Sequence, residues 1–233
     1  MILRRRTFRK QWARREEETM QVHEIWRYPV KSMAGETLGS ADLTEQGIKG
    51  DRILQVWNSA GRIVTARTRP ALLSHRATLG PDGEPKVDGR PWRSADVALE
   101  LEVAAGKGTR LARSESEDRF DVLQLLVTTD GMLAALGYDR RRFRPNLVIG
   151  GVAGLSEREW AGGILRIGKV VIGIEDLRTR CIMTTYDPDT QEQDLNVLRR
   201  VQKEFASRLG LNCHVAAPGH IRVGDPVEFV RPR

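Results

Sequence analysis

Short runs of alternating apolar and polar residues, broken by turn residues, dominate the first half of this chain. Residues 22–28 read as a strand that ends at Pro29. Residues 53–57 lead through Asn58, Ser59, Ala60 and Gly61 into residues 62–66, the pattern of a hairpin with a glycine-bearing loop. Pro81-Asp82-Gly83 and Asp88-Gly89 are turns. Residues 95–103 place Val97, Leu99, Leu101 and Val103 two apart, the period of a half-buried strand. Strands this closely spaced predict a small antiparallel barrel or sandwich rather than βαβ units. Residues 104–118 are polar and glycine-bearing and read as a long loop or boundary.

The second half mixes periods. Residues 122–127 read as a strand, and Thr128 or Thr129 caps a short helix that runs through Leu136 and ends at Gly137. Residues 146–149 form another strand, and residues 164–167 and 170–174 form a hairpin turning at Gly168-Lys169. Asp194 caps an amphipathic helix whose apolar residues Leu195, Leu198, Val201, Phe205 and Leu209 recur three and four apart, with Gly210 at its C′ position. The chain closes with strands at 221–223 and 227–230 about the turn Gly224-Asp225-Pro226. The fold class is therefore mainly β with a few helices, α+β. Its expected organisation is a basic tail over 1–19, a small β-barrel domain over 20–105 and a second β-rich domain over 106–233.

Composition narrows the class. With 233 residues, 40% of them hydrophobic, the chain buries one large core or two smaller ones. No apolar run has the length of a membrane span, and the N-terminus lacks the apolar core of a secretory signal. Two cysteines are too few for a disulfide framework, which points to a reducing, cytoplasmic setting, and too few for a four-thiolate iron–sulfur cluster. The net charge of +7 suggests a nucleic-acid partner until it is divided along the chain. Residues 1–19 carry +4 of it and the remaining residues +3, so basicity belongs mostly to a solvated tail and no nucleic-acid partner is expected. Met20, directly before the first strand, reads as a possible native start.

The stretch from Asp176 to Asp194 carries the chemistry. Cys181 follows Arg178 and Arg180 and precedes Thr184, Thr185 and an acidic turn through Asp187, Pro188 and Asp189. Flanking guanidinium groups favour the thiolate, which attacks electrophiles and binds soft metals. The apolar run before it places Cys181 just past a strand end. Cys213, with apolar neighbours, reads as core.

Three motifs fail on mechanism. Gly163, Gly168 and Lys169 have the spacing of a phosphate-binding loop, but Val170 replaces the magnesium-binding hydroxyl. Gly150, Gly151 and Gly154 lack the dinucleotide spacing. Asp187 and Asp189 resemble the start of a calcium loop in which Glu192 and Leu198 occupy the required glycine and acid positions. No histidine pair has zinc-ligand spacing, which leaves a Cys181–His dyad as the enzymatic alternative on residues alone.

Six landmarks appear in order: Tyr28-Pro29-Val30-Lys31-Ser32, Gly50-Asp51-Arg52, Val64-Thr65-Ala66-Arg67, Phe143-Arg144-Pro145-Asn146, Arg180-Cys181-x-x-Thr184-Thr185-x-Asp187-Pro188-Asp189, and Val223-Gly224-Asp225-Pro226-Val227. In these the chain resembles MOSC-domain proteins, named for the C-terminal domain of molybdenum-cofactor sulfurases, and among them the mitochondrial amidoxime-reducing components and their bacterial relatives. The resemblance implies an N-terminal β-barrel domain, a MOSC-type β-barrel domain, and a molybdenum cofactor (molybdenum-molybdopterin) in the cleft between them. Cys181 would be the metal ligand. Lys31, Arg52 and Arg144 would be the basic positions, Ser32, Asn146 and Thr179 the polar donors to pterin or phosphate, and Arg180 the residue that orients the thiolate. Asp130 would line the pocket, or serve only as a first-turn acid.

The implied chemistry is two-electron reduction of small N-hydroxylated substrates such as amidoximes and hydroxylamines. Electrons would come from an external donor, ferredoxin-like or a haem protein with a flavin reductase. The alternative is a sulfur or cofactor carrier using a Cys181 persulfide or thiolate without turnover. The stretch between Leu101 and Phe120 is shorter than in the eukaryotic relatives, which leaves the substrate range open.

Overall fold

The computed structural model describes residues 19–114 and 119–231. The expected basic tail lies, but for its last residue, outside the described residues. The described residues are mainly β with three α-helices. Its frame is an eight-stranded sheet in the order Glu228–Val230, Ile164–Ile167, Val170–Thr179, Arg208–Ala217, Leu125–Thr129, Leu147–Gly150, Gln21–Arg27 and Glu36–Leu38. Leu125–Thr129 and Leu147–Gly150 run parallel, and every other neighbouring pair is antiparallel. A parallel pair needs a crossover, and helix α2 (Asp130–Leu136) provides it, capped by the Thr129 hydroxyl and ended by left-handed Gly137 as the sequence predicts.

Two strands tie the halves of the chain together. Gln21–Arg27 belongs to the large sheet, beside Leu147–Gly150, so the Tyr28–Ser32 landmark starts from that sheet. Gly219–Arg222 pairs with Ser40–Thr44. The expected hairpin forms between Leu54–Trp57 and Ile63–Val64.

Buried side chains form three clusters. One lies on the large sheet around Ile25, Leu147, Ile172 and Leu211. A second packs Val30, Leu54, Val56 and Leu72 against helix α1 (Ala95–Ala105). The third joins α2 to helix α3 (Leu195–Phe205) through Leu136, Phe143, Val201 and Phe205.

Three sequence expectations are corrected. Residues 95–103 are helical, not a strand. Ser94 caps the helix by accepting from the Val97 amide, and the buried positions Val97, Leu101, Ala104 and Ala105 follow helical spacing. Leu99 and Val103, which complete the apparent alternation, are 65% and 89% exposed. The run of Ala, Leu and Glu, good helix formers, outweighs the two-residue period.

The polar stretch 104–118 is not all loop, because Arg110–Arg113 pairs with Leu54–Trp57. Helix α3 stops at Phe205. Ala206 and Ser207 are left-handed (φ 51° and 64°), and the Ser207 amide bonds back to the Val201 carbonyl. Leu209 and Gly210 therefore lie in the following strand.

Candidate cofactor site

Cys181 lies two residues beyond the end of the strand Val170–Thr179, at the head of a single 3₁₀ turn, Ile182–Thr185. The landmark threonines build that turn. The Thr184 amide and hydroxyl both donate to the Cys181 carbonyl (3.1 and 3.0 Å), and the Thr185 hydroxyl donates to the Ile182 carbonyl (2.7 Å). Main chain and hydroxyls are satisfied locally, and the thiol is left exposed.

The cavity that receives it gathers residues from across the sequence: Lys31, Ser32, Arg52, Thr65, Arg67, Asp121, Arg142, Arg144, Asn146, Arg178, Thr179, Arg180 and Cys181. Seven cations line it against one carboxylate, Asp121. Three of its residues, Ser32, Arg52 and Arg144, have left-handed backbone (φ 73°, 52° and 54°), a conformation that non-glycine residues adopt at a cost.

A buried polar network holds those backbones. Asp51, fully buried, accepts from the Tyr28 amide (2.7 Å) and from Asn146 Nδ2 (3.1 Å), and pairs with Arg52. The Lys31 amide donates to the Leu54 carbonyl (2.9 Å) and the Arg52 amide to the Tyr28 carbonyl (2.8 Å). Gly50 beside them is left-handed (φ 84°), a conformation that favours glycine. Arg144 lies over the Tyr28 ring (4.2 Å to the centroid), and the Tyr28 hydroxyl donates to the Pro145 carbonyl (3.1 Å). Burial pushes the Tyr28 hydroxyl up to about 12, so it remains a neutral donor.

Arg52 pairs with Asp51 and Arg142 with Asp187, and the other five cations fall into two groups. Lys31 Nζ (2.9 Å), Arg67 Nη2 (2.7 Å) and Arg178 Nη2 (3.6 Å) converge on Asp121. Burial alone would raise Asp121, but Lys31, Arg67 and Arg178 more than offset it and hold the group below its ordinary range. Burial opposes the charge of Arg67, and Asp121 and the nearby Cys181 together outweigh that and raise it.

The second group is uncompensated. Burial pulls Arg144 down to about 10, and burial with Arg178 nearby does the same to Arg180. Among the described residues neither has a carboxylate partner. Arg180 donates through Nη2 to the Phe143 carbonyl (2.6 Å), while its buried Nε has no partner. A partly desolvated cation without a carboxylate partner is costly, so the chemistry of this donor set calls for an anion.

An adjoining cavity shares Arg142, Arg144 and Met183 and adds the aromatic walls Trp26, Tyr28 and Tyr186, surfaces suited to a flat heterocycle. The residues present thus fit a phosphate-bearing, thiolate-ligated pterin cofactor.

The structure brings Lys31, Ser32, Arg52, Arg144, Asn146, Thr179, Arg180 and Cys181 to one cavity. The Ser32 and Thr179 hydroxyls form no hydrogen bond among the described residues and stand ready as donors. Two expectations are corrected. Asn146 lines the cavity, but its Nδ2 is taken by Asp51 and the Trp26 carbonyl (3.3 Å), and its Oδ1 accepts from the Leu126 amide (3.2 Å). It fixes the cavity floor rather than offering a free donor.

Asp130 does not line the cavity. Its carboxylate accepts from the Gly131 (2.8 Å), Gly151 (2.8 Å) and Val152 (3.1 Å) amides, pinning the loop after Leu147–Gly150 to the start of α2. Sequence reasoning missed Arg67 as a site residue, although its landmark was visible. It also missed Asp121, a single carboxylate in a loop with no motif around it.

The chain matches the MOSC N-terminal beta barrel domain over residues 19–130 and the MOSC domain over residues 125–228. Mitochondrial amidoxime reducing component 2 of Homo sapiens is 27% identical over 294 aligned positions, which take in 94% of this chain and 87% of that protein. Mitochondrial amidoxime-reducing component 1 of Homo sapiens is 26% identical over 295 positions, with 94% and 87% covered. Those alignments are longer than the chain's 233 residues, so both relatives carry segments that it lacks. The YUAD protein from Bacillus subtilis has a similar fold, with a TM-score of 0.52 at 14% identity over 92% of this chain and 97% of that one. Two consecutive domain matches and a cavity assembled from both put the chain in the MOSC-domain family.

Proposed function

We propose that the chain binds a molybdenum cofactor through Cys181 and catalyses two-electron reduction of N-hydroxylated compounds: R–NHOH + 2 H⁺ + 2 e⁻ → R–NH₂ + H₂O. One observation carries the reading. An exposed thiol stands in a cavity of seven cations, two of them part-buried without a carboxylate partner among the described residues. A dianionic phosphate and a soft metal centre satisfy both features at once. The relatives named as amidoxime-reducing components support the substrate class.

The bound cofactor would supply two-electron oxygen-atom-transfer chemistry. The protein's residues bind and orient. Arg144 and Arg180, together with Lys31, Ser32 and Arg52, would hold the phosphate, Thr179 would hold the pterin, and Arg67 and Arg180 would fix the sulfur. Asp121, held ionised, is not a proton store; it keeps Lys31, Arg67 and Arg178 in place. Protons enter from solvent on the open side of the exposed Cys181. Both cysteines are free, and the ligand must stay reduced, so we assign the chain to the cytoplasm. Electrons come from an external one-electron donor, because two cysteines cannot ligate a four-thiolate cluster.

Exposure of Cys181 also favours a second reading, a carrier of sulfur or of the cofactor, since its sulfur is open to another protein. Metal and sulfur analysis of the purified full chain separates the two. Molybdenum near one per chain, with benzamidoxime reduced by dithionite-reduced methyl viologen, is the outcome expected here. Metal-free protein bearing labile sulfur on Cys181 would establish the carrier instead.

A further inference from the structure

The strand and loop that deliver Arg67 to the thiol carry a second surface, which cofactor binding leaves unused. A groove runs between the strand Ile63–Val64 and the end of α1, with Arg62, Ile63, Arg69, Ala105 and Lys107 in its walls. Ile63–Val64 is the outermost strand of its sheet. Arg62 and Lys107 are exposed and form no ion pair among the described residues. Arg69 spends its guanidinium on the Ala105 and Thr68 carbonyls (3.1 and 3.4 Å) and keeps its charge unopposed.

No carboxylate lines the groove. Ile63 is 40% exposed in it. A partly exposed isoleucine beside three cations that form no ion pair among the described residues is the complement of an acidic protein face. Ile63 is also only four residues from Arg67, a reach of at most ~14 Å.

We propose that this groove docks a small acidic protein carrying a one-electron centre. The inference rests on the reductase reading and gives its donor a place. Two electrons per turnover, delivered singly, require the carrier to dock, leave and be replaced. That favours a weak contact steered by charge over a large apolar interface. Charge on the groove therefore sets how often the carrier arrives.

The test uses oxidised plant-type [2Fe–2S] ferredoxin as the probe, titrated calorimetrically into the full chain at low and high salt. The double variant Arg62→Glu/Lys107→Glu is compared with Arg166→Glu/Lys169→Glu, which makes the same change in net charge on the exposed 164–174 hairpin. Reversal in the groove is expected to weaken binding about tenfold or more and to flatten its salt dependence, while reversal on the hairpin changes it less than about twofold. Equal losses in both variants, or none in the groove variant, would overturn the proposal. So would tighter binding of poly(U) RNA than of ferredoxin, lost on the same reversal. Thermal melts establish that each variant is folded, and Arg62→Gln/Lys107→Gln repeats the comparison more gently. Turnover with reduced methyl viologen, which needs no docking face, reads the reductase function separately. Its absence beside groove-dependent ferredoxin binding would sink that function and leave the docking surface standing.

Discussion

The two cysteines of this chain mark opposite uses of the same side chain. Cys213 sits in the middle of the strand Arg208–Ala217, fully buried, with its sulfur toward the Leu211 carbonyl (3.6 Å). Burial pushes its thiol far above the ordinary range, so it behaves as a small apolar residue. Cys181 stands past a strand end, exposed, in the field of Arg67, Arg178 and Arg180. Around Cys213 side chains meet partners and the packing closes. Around Cys181 the protein leaves hydroxyls without bonds and part-buried guanidinium groups without carboxylate partners among the described residues. Unmet bonding capacity in an otherwise satisfied protein marks where something else must bind.

The contrast breaks first at Cys181 itself. Replacing Cys181 with Ser is expected to lower bound molybdenum and benzamidoxime turnover about a hundredfold or more with the melting temperature unchanged, as metal analysis and calorimetry would read. Full turnover in that variant would remove the thiol from the site. Next come the cations. Lys31→Met or Arg144→Gln should each weaken cofactor retention about tenfold to a hundredfold, the worth of a lost charge-assisted hydrogen bond, measured by loss of molybdenum on dilution.

On the packed side, Leu101→Ala should cost about 3 kcal/mol in urea unfolding, while Leu99→Ala, on the exposed face of α1, should stay within about 0.5 kcal/mol. Comparable losses at both would put residues 95–103 back in a sheet. The smallest effect belongs to Cys213→Ala, about 1 kcal/mol of stability with turnover kept. Iodoacetamide should modify Cys181 in the native cofactor-free protein and reach Cys213 only after unfolding.

Much of the site was legible in the sequence because its signals are local. Lys31, Arg52 and Arg144 each sit in a short motif whose turn geometry the neighbours set, and Cys181 follows a recognisable strand. Asp130 misled because a carboxylate at a helix start reads the same whether it faces a cavity or caps a neighbouring loop. Asn146 misled because its amide is consumed by Asp51, whose approach across 95 residues no local pattern encodes. Asp121 was invisible for the same reason: its meaning lies in Lys31, Arg67 and Arg178, which arrive from three other segments. In the fold, α1 escaped because only two of the four alternating apolar residues are buried. The end of α3 escaped because Leu209 kept the helical spacing after the chain had already turned back.

The left-handed turns at Ser32, Arg52 and Arg144 also govern how these positions can be probed. A β-branched replacement there would disturb the main chain along with the side chain, and the two losses would be read as one. Glycine, which accepts that backbone freely, and asparagine, which tolerates it, delete the guanidinium while sparing the curve that presented it. Scanning with that pair would tell apart a cavity that grips by its charge from one that grips by its shape.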